Sequence, residues 1–160
     1  MPSNVRVRRP TATDAPWLLE LSSAAVPGRE FLPRELLVMQ EQAQRSQWSQ
    51  RWGSGGESLV EVDGVPAGRV WVAWTPSALR IVELSVAPAF RRHGLARRIL
   101  ADLCSAADTS GNALELAVDA ENVVARHLYE SLGFRTWNNP VHQNVFSLTM
   151  KRTPKETTTP

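Results

Sequence analysis

The chain has 160 residues, 42% hydrophobic and 21% charged, with a formal net charge of +2 and a pI near 9.2. That balance describes one ordinary globular domain with a core of its own, and excludes disordered, collagen-like and membrane-spanning classes. The positive excess is small and the arginines are scattered, which argues against nucleic acid as a partner, and the single cysteine, Cys104, excludes an intrachain disulfide.

In chain order, the basic start MPSNVRVRRP has no apolar run behind it, so no signal peptide is read and a cytoplasmic, membrane-free protein is expected. Val5–Arg8 alternates as a strand closed by Arg9-Pro10. Thr13-Asp14 caps a helix from Ala15 that Val26-Pro27-Gly28 ends. From Pro33 a second helix carries Leu36, Leu37, Met39, Ala43 and Trp48 as its apolar positions, with Gln and Arg on the other face, up to Gly53-Ser54-Gly55-Gly56. The period then changes to two. Leu59–Val62, an Asp63-Gly64 turn of type I′ and Val65–Trp74 form a hairpin, and Thr75-Pro76-Ser77 leads into a third strand, Leu79–Val86.

A helix from Leu95 buries Leu95, Ile99, Leu100, Leu103 and Ala107; Cys104 lies in the same apolar pattern, where a buried, inert thiol is expected. Ala113–Val118 is a strand. Asp119–Asn122 opens a helix with Val124, Leu128 and Leu132 inward and Gly133 as its stop. Phe134–Trp137, the turn Asn138-Asn139-Pro140 and Val145–Met150 make a last hairpin. A single domain over residues 1–151 and a disordered tail over 152–160 are expected. The fold class is α/β: a mixed, mostly antiparallel central sheet with helices on both faces.

One stretch, Ile81–Ala107, joins a strand, a cationic turn Arg91-Arg92-His93-Gly94 and a helix start. The first turn of a helix leaves backbone N–H groups unpartnered at the positive end of its dipole, so this order suits an anion such as phosphate. No His, Cys, Asp or Glu spacing suggests a metal: His127 and His142 have no partners at ligand spacing, and His93 is as natural in an exposed turn as on a phosphate. Ser85 lacks the Gly-x-Ser-x-Gly elbow of a serine hydrolase.

Arg91-x-x-Gly94-x-Ala96, between a strand ending Val-x-Pro and an amphipathic helix, resembles the acyl-CoA loop of the GCN5-related N-acetyltransferases (GNAT). Asn122-x-x-Ala125-x-x-Leu128-Tyr129-x-x-x-Gly133-Phe134 is similar to that family's later motif. The resemblance covers roughly Val5 to Lys151 and implies a GNAT-like fold and an acetyl-CoA-dependent N-acetyltransferase working by direct attack in a ternary complex. It implies that loop amides from Arg91 or Arg92 through His93, Gly94, Leu95, Ala96 and Arg97 hold the CoA pyrophosphate. Leu84, Ser85 and Val86 would pair with the pantetheine arm as an added strand, Asn122 would contact CoA, and Tyr129 would sit beside the sulfur. Arg92 stands where many members have glycine.

Acyl transfer to an amine needs a base, because a lysine-like amine of pKa about 10.4 is protonated at pH 7, and an acid for the departing thiolate. Glu83 is the candidate base, against the plain reading of a solvent-side strand residue; Tyr129, the one tyrosine, is the candidate acid, against a core role. Val86 N–H is the candidate donor to the carbonyl oxygen. Trp48, Trp52, Trp71 and Trp74 are open between an acceptor pocket and core packing. Two alternatives stand beside the enzyme: a non-catalytic acyl-CoA-binding regulatory module, and a toxin-type acetyltransferase of aminoacyl-tRNA. The acceptor amine and acyl-chain preference are unread, and a homodimer is compatible with the resemblance.

Overall fold

The Asp63-Gly64 turn sets the register of the sheet: both residues have positive φ, 50° and 81°, as a two-residue type I′ turn requires. It joins β2 (Glu57–Val62) to β3 (Val65–Trp74), and β1 (Val5–Arg8) pairs antiparallel with β2. The computed structural model describes residues 3–53, 56–137 and 146–156. The remaining elements are α1 (Ala15–Ala24), α2 (Arg34–Trp52), β4 (Leu79–Val86), α3 (Leu95–Ser110), β5 (Leu114–Asp119), α4 (Val123–Ser131), β6 (Arg135–Thr136) and β7 (Ser147–Arg152). The seven strands run in the order β1-β2-β3-β4-β5-β7-β6, with the β4–β5 ladder parallel, so the sheet is mixed as expected. The expected elements are present; Ser54-Gly55, Asn138-Asn139-Pro140, His142 and Val145 lie outside the described residues.

The chain divides into two compact units, residues 1–72 with 83–96, and residues 73–82 with 97–160. In the first, β3 is bulged opposite Val60/Glu61, and β3 from Ala67 to Trp71 is buried at every residue. Gly68 belongs there because a Cβ would come within 2.7 Å of the Ser85 carbonyl oxygen. Leu18, Leu19 and Leu21 of α1 pack inward with Leu59 and Val60. Asp14 does not cap α1 with its side chain; its carboxylate takes two hydrogen bonds from Arg8, at 2.8 and 2.9 Å, and one from Thr11 N–H at 2.7 Å. That guanidinium holds the Asp14 carboxyl well below the usual carboxylate range.

α2 departs from its expected pattern. Met39 is 65% exposed and Ala43 is exposed, whereas Glu41, Gln44, Arg45 and Trp48 form the half-buried stripe at helical spacing. Of the expected apolar positions Leu37 and Trp48 are half-buried and Leu36, Met39 and Ala43 are exposed, because the inner side also meets charged partners from the sheet.

In the second unit Ile99, Leu100, Cys104 and Ala107 of α3 are buried, and burial pushes the Cys104 thiol pKa up, as an inert thiol requires. Val124 is not inward: it is 83% exposed, and Leu128, Tyr129 and Leu132 are half-buried instead. A one-position shift in the helical stripe at the α4 start accounts for this. Arg152, expected at the start of a disordered tail, is instead ordered. Arg152 ends β7, is buried, donates twice to Asp108 at 2.8 Å and once to Leu132 O at 2.9 Å, and Lys155 N–H also reaches Asp108. Among the described residues no helix is long and apolar enough to cross a membrane.

Arg152 and Lys155 N–H hold the Asp108 carboxyl pKa down to about 2 from 3.8. A depressed carboxyl stabilises above its unfolded pKa and loses that contribution as pH falls through the folded one. Stability should therefore drop between about pH 4 and pH 2, and Asp108→Asn should flatten that drop. At pH 7, Asp108→Asn, which leaves a buried Arg152 unpaired, should cost about 2–4 kcal/mol in urea denaturation.

Candidate functional site

Glu83, Leu84, Ser85 and Val86 occupy the second half of β4 and belong to the first unit with the loop to Ala96. The parallel ladder between β4 and β5 is Leu79↔Leu114, Arg80↔Glu115 and Ile81↔Leu116, so it ends five residues before β4 does. The later β4 backbone thus has donors and acceptors that this ladder does not use, which is what strand addition by an extended ligand needs. Ala87 N–H bonds Ala67 O at 2.8 Å and fixes the strand's exit.

A short 3₁₀ turn, Pro88–Phe90, leads into the cationic loop. Arg91 Nε donates to Val86 O at 2.9 Å, folding the loop back over the strand end. Arg92 has φ 64° and Gly94 has φ 76°, so two left-handed residues turn the chain onto the first amides of α3. Arg92 thus adopts the conformation that glycine would take at no steric cost. A Cβ on Gly94 would meet nothing within 4 Å, and Arg91, Arg92, His93 and Gly94 are all exposed. A helix start, two exposed arginines and open space around Gly94 suit an anion such as phosphate. Leu95 is buried and anchors the helix start, and Ala96 is half-buried.

Glu83 is half-buried, and its carboxylate accepts a hydrogen bond from the Ser85 hydroxyl two residues on, on the same strand face. Both line a cavity of about 130 Å³ inside the first unit, together with Gln40, Glu41, Trp48 and Arg69. Glu83 is therefore part of a cavity wall and not fully exposed. Of the four tryptophans, Trp48 lines this cavity and meets the buried Trp71 edge-on with ring centres 5.4 Å apart; Trp52 lies under Arg51 at 4.7 Å, and Trp74 is exposed.

The other expected residues lie in the second unit. Arg97 donates to Ser131 Oγ at 3.0 Å, which ties the start of α3 to the end of α4. Asn122 Oδ1 accepts from Ala125 N–H at 3.1 Å, so its N-cap role is present. Tyr129 follows Asn122 by seven residues, two helical turns along the same face, and its ring is tilted against Phe134 at 5.9 Å. Among the described residues no group of three or more His, Cys, Asp or Glu is placed to hold a metal ion.

Sequence reasoning missed Arg69, Gln40, Ser22 and Glu41. Arg69 is 3% exposed; Nη1 donates to Glu41 at 2.7 Å and Nη2 to Ser22 Oγ at 3.3 Å, and its plane lies over Trp48 at 5.3 Å. The available signal was a charged residue inside a strand too continuously apolar to have a solvent face.

The model of the acetyltransferase (GNAT) family matches residues 24–134. A mycothiol acetyltransferase of Rothia mucilaginosa (strain DY-18) is 32% identical over 151 residues, 84% of this chain, and the chain spans 42% of that protein's length. Among solved structures, PH1933 from Pyrococcus horikoshii OT3 matches with TM-score 0.69 at 19% identity, over 95% of this chain and 99% of that one. The ribosomal-protein-S18-alanine N-acetyltransferase from Escherichia coli matches with TM-score 0.66 at 21% identity, over 94% of each chain. The PaiA N-acetyltransferase from Thermoplasma acidophilum, solved with coenzyme A, matches with TM-score 0.65 at 13% identity, over 94% of this chain and 99% of that one. At these identities the structural likeness is one of fold.

The left-handed loop makes opposite predictions for its two residues. Gly94→Ala should cost about 1–2 kcal/mol in urea denaturation, the left-handed penalty of a residue with a Cβ. Arg92→Gly should change stability by less than about 0.5 kcal/mol, because relief of that penalty is offset by the greater freedom of glycine in the unfolded chain.

Proposed function

The chain belongs to the acetyltransferase (GNAT) family, and we propose that it transfers an acetyl group from acetyl-CoA to the amine of an acceptor by direct attack. The observation that carries this reading is the strand bearing Glu83 in a cavity wall, running past the end of its ladder into a doubly left-handed arginine loop at a helix start. Bound acetyl-CoA supplies an acetyl group on a thioester. Loop amides from Arg91 to Arg97 and the charges of Arg91 and Arg92 hold its pyrophosphate, and Leu84, Ser85 and Val86 pair with its pantetheine arm. Asn122 caps α4 through Oδ1 and offers Nδ2 to the cofactor.

Glu83 takes the proton from the acceptor amine, directly or through one water, with Ser85 O–H orienting its carboxylate. The freed nitrogen bonds to the acetyl carbon as the carbon–sulfur bond breaks and loses its second proton to solvent, while Val86 N–H donates to the carbonyl oxygen. Tyr129 O–H gives its proton to the departing sulfur and regains one from solvent. The cytoplasm, where acetyl-CoA is available, is the place of action this reading implies.

Acetyl-CoA at millimolar concentration should raise the melting temperature, and acceptor amines should release CoA thiol. Tyr129→Phe and Glu83→Gln should each lower kcat by about 100-fold or more while acetyl-CoA affinity stays within about threefold. Absence of any thermal shift would overturn the reading, and a shift without thiol release for any amine would mark a binding module instead.

A further inference from the structure

A cavity of about 530 Å³, roughly four times the volume of the one beside Glu83, lies between the start of α1 and α2. Its wall is mostly apolar, with Ala12, Ala15, Pro16, Leu19 and Val38 in the lining, and no lining residue comes from β4 or the arginine loop. On α2 the lining positions are Arg34, Val38, Glu41, Gln42 and Arg45, one helical stripe about 16 Å long. We propose that this groove is a ligand site for a straight-chain carboxylate of medium length, with the carboxylate on Arg34 and the alkyl chain along α2 toward Arg45. The site goes beyond the acetyltransferase reading and does not depend on it.

Charge decides which end of the groove takes an anion. Two of the ionisable side chains in the lining are already matched: Glu41 accepts from Ser22 Oγ and from Arg69 Nη1, and Arg45 donates to Glu57 through both Nη atoms, at 2.9 and 2.5 Å. Arg34 is exposed and forms no ion pair among the described residues, so it is the uncompensated charge of the lining. As the first residue of α2 it also stands at the positive end of that helix's dipole. A neighbouring cavity of about 470 Å³, which shares Leu19 and Arg34 with the first, carries Glu20 and Glu30; these repel an anion and confine it to the first cavity. The volume sets the scale. About 530 Å³ is the share of roughly eighteen water-sized groups, room for eight carbons, a carboxylate and residual solvent. An alkyl chain against the apolar wall removes apolar surface of both partners from water. A wholly polar ligand forgoes that gain, and a wholly apolar one leaves Arg34 without a partner.

The test is isothermal titration calorimetry of the full chain with octanoate, octan-1-ol and acetate. Octanoate should bind once per chain and about tenfold or more tighter than octan-1-ol, while acetate shows no saturation at concentrations that saturate octanoate. Arg34→Gln, at an exposed position, should weaken octanoate about tenfold and leave octan-1-ol within about twofold. Ala15→Phe, which puts a ring into the groove from an exposed position, should weaken both ligands about tenfold or more with the circular dichroism spectrum unchanged; if that variant does not fold, Arg34→Gln decides. No octanoate binding, equal affinity for the alcohol, or an Arg34→Gln variant that binds octanoate as the parent does overturns the inference. So does undiminished binding by folded Ala15→Phe, or displacement of octanoate by CoA, which would put the ligand in the cofactor site. Failure of CoA to bind at all bears on the acetyltransferase reading alone.

Discussion

A guanidinium buried to 3% exposure is the constraint around which the first unit is arranged. Removing Arg69 from water costs several kcal/mol unless carboxylates and hydroxyls surround it. The chain meets that demand from three elements at once: Ser22 of α1, Glu41 of α2, and Glu57 of β2 at 3.8 Å surround the Arg69 side chain of β3. Arg45 then binds Glu57 with two hydrogen bonds at 2.9 and 2.5 Å. This network explains why α2 turns a charged stripe inward and leaves Met39 exposed.

The second constraint is a turn rather than a charge. Two left-handed residues, Arg92 and Gly94, are needed to bring the chain from the end of β4 onto the first amides of α3. Arg91 reinforces the turn by reaching back to Val86 O. The backbone that a cofactor would pair with and the loop that would hold its phosphates are therefore a single covalent run, so their spacing is set by local geometry and not by distant packing.

The fold was legible where a local rule had no competitor. Asp63-Gly64 between alternating runs fixed a hairpin, Gly94 before an amphipathic pattern fixed the start of α3, and Asn122 fixed the start of α4. Apolar period failed on α2, because burial there follows ion pairing with strand residues far away in sequence, and on Val124, where one residue of phase at a helix start decides exposure. The tail failed for the same reason: Arg152 reads as a polar end, yet Asp108 of α3 draws it into the core. Motifs pointed to the arginine loop, Asn122 and Tyr129, whereas the cavity beside Glu83 is lined by single polar residues of α1, α2, β3 and β4 that carry no spacing signature.

Hydrogen exchange read by mass spectrometry, with and without CoA, tests the central claim most directly: the second half of β4 and the arginine loop hold the cofactor. The account predicts new protection at the amides of residues 83–86 and 91–97, with little change in β1 and β2. Protection absent from both segments, or confined to α1 and α2, would contradict it.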